Sequence, residues 1–141
     1  MAGKTYDASL VTQGGLQIAA GGYIGAVLDT AVDNISSGAV WQAFSLPAGT
    51  LVHEIGAVCL TAEGATLTVD VGFTGGDVDA FLDGVDMNSA NASYSSQEYQ
   101  STQNAQDGGK YLASADTVDV LFNNAADLAK IYIFARYTKI Q

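Results

Sequence analysis

The residues of this chain that could do chemistry are few, and most are aspartates. The stretch "AEGATLTVDVGFTGGDVDAFLDGVD", residues 62–86, carries Asp70, Asp77, Asp79, Asp83 and Asp86. Carboxylates at this density could ligate calcium or supply the acid–base pair of a glycosidase. A calcium loop of the EF-hand kind needs oxygen donors at its first, third and fifth positions and glycine at the sixth. Counted from Asp77, the first and third positions are Asp77 and Asp79, but the next two that matter are Phe81 and Leu82. The pattern breaks where the ligands must converge, which leaves only a looser calcium site open. Acids alone do not identify a glycosidase pair. The better reading is architectural. "TGGD" turns the chain after a strand, and Asp77 or Asp79 caps the first turn of a short helix by accepting backbone N–H bonds. Phe81, Leu82 and Val85 then seal one end of the core, and Gly84 lets the chain leave.

The nucleophiles are fewer still. His53 and Cys59 are the chain's sole histidine and cysteine. Both lie in "LVHEIGAVCLT", which reads as a strand. Their even spacing puts them on one face, but at about 3.3 Å per residue they stand roughly 20 Å apart. A Cys–His pair therefore fails, and so does any zinc site built from histidines and cysteines. A serine triad would need His53, yet the sequence has no Gly-x-Ser-x-Gly elbow. It has no phosphate-cradling glycine motif either. The expectation is no enzyme, no catalytic residue, no metal and no cofactor.

The elements that must position these residues are short apolar runs cut by turn signals, which suggest a β-sandwich or barrel, of which the antiparallel β-sandwich is the expected form. At 141 residues the chain is read as one domain: an N-terminal arm over 1–22, rich in glycine, and a sandwich over 23–141. Strands are expected at 23–32, 39–46, 51–61, 66–73, 116–122 and 128–140. In "TLTVDVGF" Leu67, Val69, Val71 and Phe73 share one parity and face inward, while Thr66, Thr68, Asp70 and Gly72 face out. In the last strand Ala129, Ile131, Ile133, Ala135 and Tyr137 form the inner face, and Lys130, Tyr132, Phe134 and Arg136 the outer one. Two aromatics on an outer face suggest cover by an arm or a partner. Residues 87–109 are polar and poor in aliphatics, and read as a long loop.

Charge narrows the function classes. Fifteen acids against five bases give a net charge of −10, which repels nucleic acid. No apolar run approaches the roughly 18 residues of a membrane helix, and the N-terminus lacks the apolar core of a signal peptide. Synthesis in the cytoplasm is expected, without contact to nucleic acid or membrane. After Lys4 the next base is Lys110, and Lys130, Arg136 and Lys139 gather at the C-terminus. Aromatics and arginine are enriched where subunits meet, so the arm and the last strand are expected to make intersubunit contacts.

The order "LPAGTLVHEIGAVCLTAEGATLTVDVGFTGGDVDAFLDGVD" followed by "GGKYLASADTVDVLFNNAADLAKIYIFARYT" resembles the capsid decoration, or cement, proteins of tailed bacteriophages. The shared features are the "PAGT" turn, "TAEG" before an alternating strand, "FLDGVD", and "ADTVDV…NNAAD" before a final strand. They cover roughly 47–86 and 108–138, omit the arm and the long loop, and include no catalytic residue. The resemblance implies a jelly-roll-like sandwich bound to the outer surface of the phage head. It also implies the major capsid protein as partner and a homo-oligomer, a trimer favoured over a dimer. The candidate interface residues are Tyr94, Tyr99, Lys130, Tyr132, Phe134 and Arg136. The alternative is a tail- or fibre-associated module for host-surface carbohydrate, with Tyr94 and Tyr99 at its binding edge. A small β-sandwich hydrolase is the most remote class.

Overall fold

The computed structural model describes residues 20–75, 77–97 and 109–140. Most of the expected arm and Tyr99 lie outside these residues. Nine strands are described: β1 (Ala20–Asp29), β2 (Val40–Leu46), β3 (Thr50–Thr61), β4 (Thr68–Phe73), β5 (Leu82–Asp86), β6 (Ser93–Ser95), β7 (Lys110–Leu112), β8 (Asp116–Phe122) and β9 (Lys130–Lys139). They form two sheets. The first runs β1-β9-β3-β6, with β7 also on β3, and the second runs β2-β8-β4-β5. All pairings are antiparallel. Consecutive strands mostly cross from one sheet to the other, and β8 and β9 return to lie beside β2 and β1. This nested strand order is a jelly roll, as the family resemblance implied.

The core follows from alternation. Ile131, Ile133 and Ala135 of β9 face Val69 and Val71 of β4 and Val118, Val120 and Phe122 of β8 across the sandwich interior, and all are fully buried. Leu67, Val69, Val71 and Phe73 are buried as their shared parity requires. Turns take the residues that permit them: Gly49 in "PAGT" has φ +79°, and Gly64 in "TAEG" has φ +85°.

Two strands depart from simple alternation because each carries a bulge. In β3 the pairing with β9 shifts between Val52 and Glu54. The extra residue turns His53 to the outside, while Ile55, Ala57 and Cys59 stay buried. His53 and Cys59 therefore lie on opposite faces, not on one. In β2 the shift between Gln42 and Phe44 leaves Val40 exposed and turns Trp41, Phe44 and Leu46 toward the core.

The expected short helix at 77–85 is absent. The chain makes a turn and then β5, in which Leu82 and Val85 are buried beside Phe81. Pairing with β4 competes with so short a helix and wins, because a single turn has few hydrogen bonds to offer. The returning loop also covers the outer side of β4. The backbone of Asp77 and Val78 presses on Gly72, and Asp70 accepts bonds from the Gly84 N–H (2.7 Å) and Asn123 Nδ2 (3.1 Å). Asp70 and Gly72, expected at the surface, are buried. The long polar segment is not wholly loop, since β6 crosses it at 93–95. β1 begins at Ala20, inside the segment read as arm.

Candidate interaction surface

The outward side of the first sheet is built on β9, which has β1 on one flank and β3 on the other. Its residues meet their neighbours in rows. Tyr132 lies between Val27 and Val58, Phe134 between Gly25 and Gly56, and Arg136 between Tyr23 and Glu54. The two glycines are what let the aromatics lie down. A Cβ at Gly25 would come within 2.5 Å of the Tyr132 hydroxyl, and one at Gly56 would overlap the Phe134 ring. Each ring thus covers bare backbone on a neighbouring strand, a packing that restores contacts a strand glycine forfeits. The rings stack on each other at 5.7 Å between centroids and 23° between planes.

The result is an apolar patch across three strands. Tyr23 is 70% exposed, Val27 54% and Leu60 43%, with Val58, Tyr132 and Phe134 half-buried among them. Charge closes it at both ends. Lys130 Nζ lies 3.6 Å from Asp29 Oδ2, and Arg136 Nε lies 3.5 Å from Glu54 Oε1. Glu54 also accepts a bond from the Ser95 hydroxyl. Beyond Arg136, His53 Nε2 and Thr138 Oγ1 share a bond of 2.6 Å. Such half-exposed pairs add little stability, but they neutralise the patch on a chain that carries −10.

The second sheet is chemically the reverse. The four described lysines and arginines, Lys110, Lys130, Arg136 and Lys139, all sit on β7 or β9. The second sheet carries Asp70, Asp83, Asp86, Asp116 and Asp119 on its strands, with Asp77 and Asp79 in the adjoining loop. Several of these aspartates are structural. Asp119 accepts from Thr74 and Thr117, and Asp116 accepts from the Gly75 N–H at 3.0 Å. A hydrogen bond with Asp79 is the main cause that raises the Asp77 carboxyl above its ordinary value, while burial, with Asp70 and Asp79 near, raises that of Asp83. Among the described residues no group of three histidines, cysteines or carboxylates is placed to hold a metal ion.

Of the interface candidates, Lys130, Tyr132, Phe134 and Arg136 come together on this one surface. Tyr94 stands apart on β6, half-buried against the core, and Tyr99 lies outside the described residues. Sequence reasoning missed Tyr23, Val27, Val58 and Leu60, which complete the patch from flanking strands. The signal that could have found them is an isolated glycine inside a strand pattern, Gly25 and Gly56, which marks close approach by something bulky.

No family model and no curated protein sequence matches the chain. Solved structures do. A chain in the acidic stable capsid structure of Helicobacter pylori bacteriophage KHP30 aligns with a TM-score of 0.64 and 16% identity, over 86% of this chain and 90% of that one. A chain in the capsid of Ralstonia phage GP4 aligns at 0.59 and 14%, over 84% of each. One in the capsid asymmetric unit of cyanophage Pam1 aligns at 0.55 and 15%, over 85% and 84%. At these identities the likeness is one of fold: the jelly roll of this chain resembles chains found in three phage capsids.

Proposed function

We propose that this chain is a structural protein of a bacteriophage virion, a decoration or cement protein on the outside of the head. The observation that carries this reading is the fold. Its jelly roll is similar, over more than four-fifths of its length, to chains in three phage capsid structures. The polarity of the sandwich supports it. One sheet offers a neutral aromatic patch suited to protein contact, and the other an acidic surface suited to solvent. In this reading the patch around Tyr132 and Phe134 docks on the major capsid protein, and the acidic sheet faces outward. The chain acts by bridging shell subunits as a homo-oligomer, and no catalysis is involved.

The test is a pair of particles, with and without this chain. Particles lacking it should assemble but release DNA at a lower temperature than complete ones. A map of the complete virion should show the chain outside the shell, with the β9 face against it. Equal heat resistance of the two particles, or density for the chain on tail or fibre, would overturn the proposal. Phe134→Asp should leave the circular dichroism spectrum intact and abolish binding to bare heads. Undiminished binding would remove the patch from the docking surface.

A further inference from the structure

The four sheet edges of this sandwich are not alike. β2 is interrupted by its bulge, and β5 is five residues long with an irregular register and a glycine at positive φ. The far edge of the first sheet is divided between β6 and β7, three residues each. These are the usual devices that blunt an edge. β1 has none of them. It runs ten residues in unbroken register with β9, without proline, lysine, arginine or bulge. Its other side has no strand partner among the described residues. About half of its N–H and C=O groups therefore point away from the sheet.

The side chains of this flank are also incompletely covered. Ile24, Ala26 and Leu28 point inward from β1 but are only half-buried, whereas Ile131, Ile133 and Ala135 beside them on β9 are fully buried. Trp41 and Phe44 of β2, the edge strand of the other sheet, are half-buried too. Among the described residues the sandwich is open along β1 and β2, to backbone hydrogen bonds and to apolar side chains together.

We propose that β1 pairs antiparallel with β1 of a second copy across a two-fold axis, joining the first sheets of two copies into one. Charge selects this occupant. Each copy carries −10, so two copies can approach closely only where that charge is absent. The single charge on β1 is Asp29, at its end and bound to Lys130. Antiparallel self-pairing sets the two Asp29 residues at opposite ends of the joint. A strand of this composition is complementary to itself, as a two-fold contact requires, and main-chain bonds give affinity in this mode of association. The joint makes a dimer, in place of the trimer that the family resemblance favoured. It also extends the aromatic patch, since Tyr23 and Val27 flank it. The pairing stands or falls independently of where the chain is found.

The full chain should have the mass of a dimer in light scattering across a dilution series. The double variant Tyr23→Lys/Val27→Lys places like charges at the joint without touching the core. It should weaken association on the order of 100-fold or more, since like-charge juxtaposition costs several kcal/mol, with an unchanged circular dichroism spectrum. A wild-type trimer or monomer, or a dimer that survives the double variant, overturns the proposal. Should the double variant unfold, single variants decide. With a bifunctional thiol reagent long enough to span about four residues of strand, Tyr23→Cys or Val27→Cys should form a covalent dimer, whereas Val40→Cys on β2 should not. Failure of both β1 cysteines to cross-link, or equal cross-linking at Val40→Cys, overturns it as well.

Discussion

The ring of Phe134 rests directly on the backbone of Gly56, so closely that a Cβ at Gly56 would overlap it. The glycine is thus part of the aromatic patch although it contributes no side chain. Gly56→Ala must lift the ring, which can swing toward solvent because its far end is what the methyl group meets. The expected cost in stability is about 1 kcal/mol, with a larger effect on surface chemistry. The stacking of Tyr132 and Phe134 should be lost, which changes the near-ultraviolet circular dichroism, and binding to heads should fall.

Gly72→Ala should cost more. There the methyl group would meet the main chain of Asp77 and Val78, which cannot rotate away. The whole turn over β4 must move, taking with it the Phe73 N–H bond to the Asp77 carbonyl (3.1 Å) and the seat of Phe81. Thermal melting should place this variant about 2–3 kcal/mol below wild type, in the range of overpacked sites, and clearly below Gly56→Ala.

Glu63, just past the end of β3 that pairs with the start of β9, holds the turn before β9. Its carboxylate accepts three consecutive backbone N–H bonds, from Asp127 (2.9 Å), Leu128 (3.0 Å) and Ala129 (2.8 Å). Burial pushes its pKa up, but these bonds outweigh burial and hold it below the ordinary 4.5. A carboxyl depressed in the folded state contributes fully above that value and loses its contribution as pH falls through the folded pKa. Glu63→Gln should therefore lose about 2–3 kcal/mol at pH 7, as for a buried site robbed of charge-assisted bonds. The gap between variant and wild type should close as the pH falls below 4.5. Asp77 and Asp83 act with the opposite sign. Their carboxyls are raised above the ordinary 3.8, so protonating them on acidification favours the folded state. Denaturant melts of the wild type and Glu63→Gln from pH 7 to pH 3 check both signs.

Phe81 should matter more than the aspartates around it. Its ring is buried and meets Phe73 edge-on at 5.3 Å between centroids. Phe81→Ala should cost about 3–5 kcal/mol, and Asp79→Ala under about 1 kcal/mol. A saturable calcium titration that raises the melting temperature and is lost in Asp79→Ala would reverse that ranking of roles.

Cys59 should be inert in the native protein. Its thiol is buried and donates to the Met87 carbonyl at 3.3 Å, and burial raises its pKa. Thiolate is the reactive form, so a thiol reagent should label the chain only at the rate of unfolding. Rapid labelling of folded chain would contradict the burial.

Alternation is a local property, so the chain alone decides it. Leu67 through Phe73, and Ile131 through Ala135, announced their strands and inner faces because a period of two needs no partner to be read. The outer face of β9, with Lys130, Tyr132, Phe134 and Arg136, was legible for the same reason. What sequence could not decide were features set by pairing. A bulge adds one residue against a particular neighbour, and it separated His53 from Cys59. β5 exists because β4 offers it a ladder, while its residues alone suit a helical turn equally well. Asp70 and Gly72 have the parity of surface residues and are buried only because a loop returns over them. The aromatic patch draws Tyr23, Val27, Val58 and Leu60 from strands far apart in the chain, and the open edge of β1 emerges only when all the other strands have found their neighbours. Long-range register decides all of these, and register is fixed by the joint burial of many side chains, which no single segment contains.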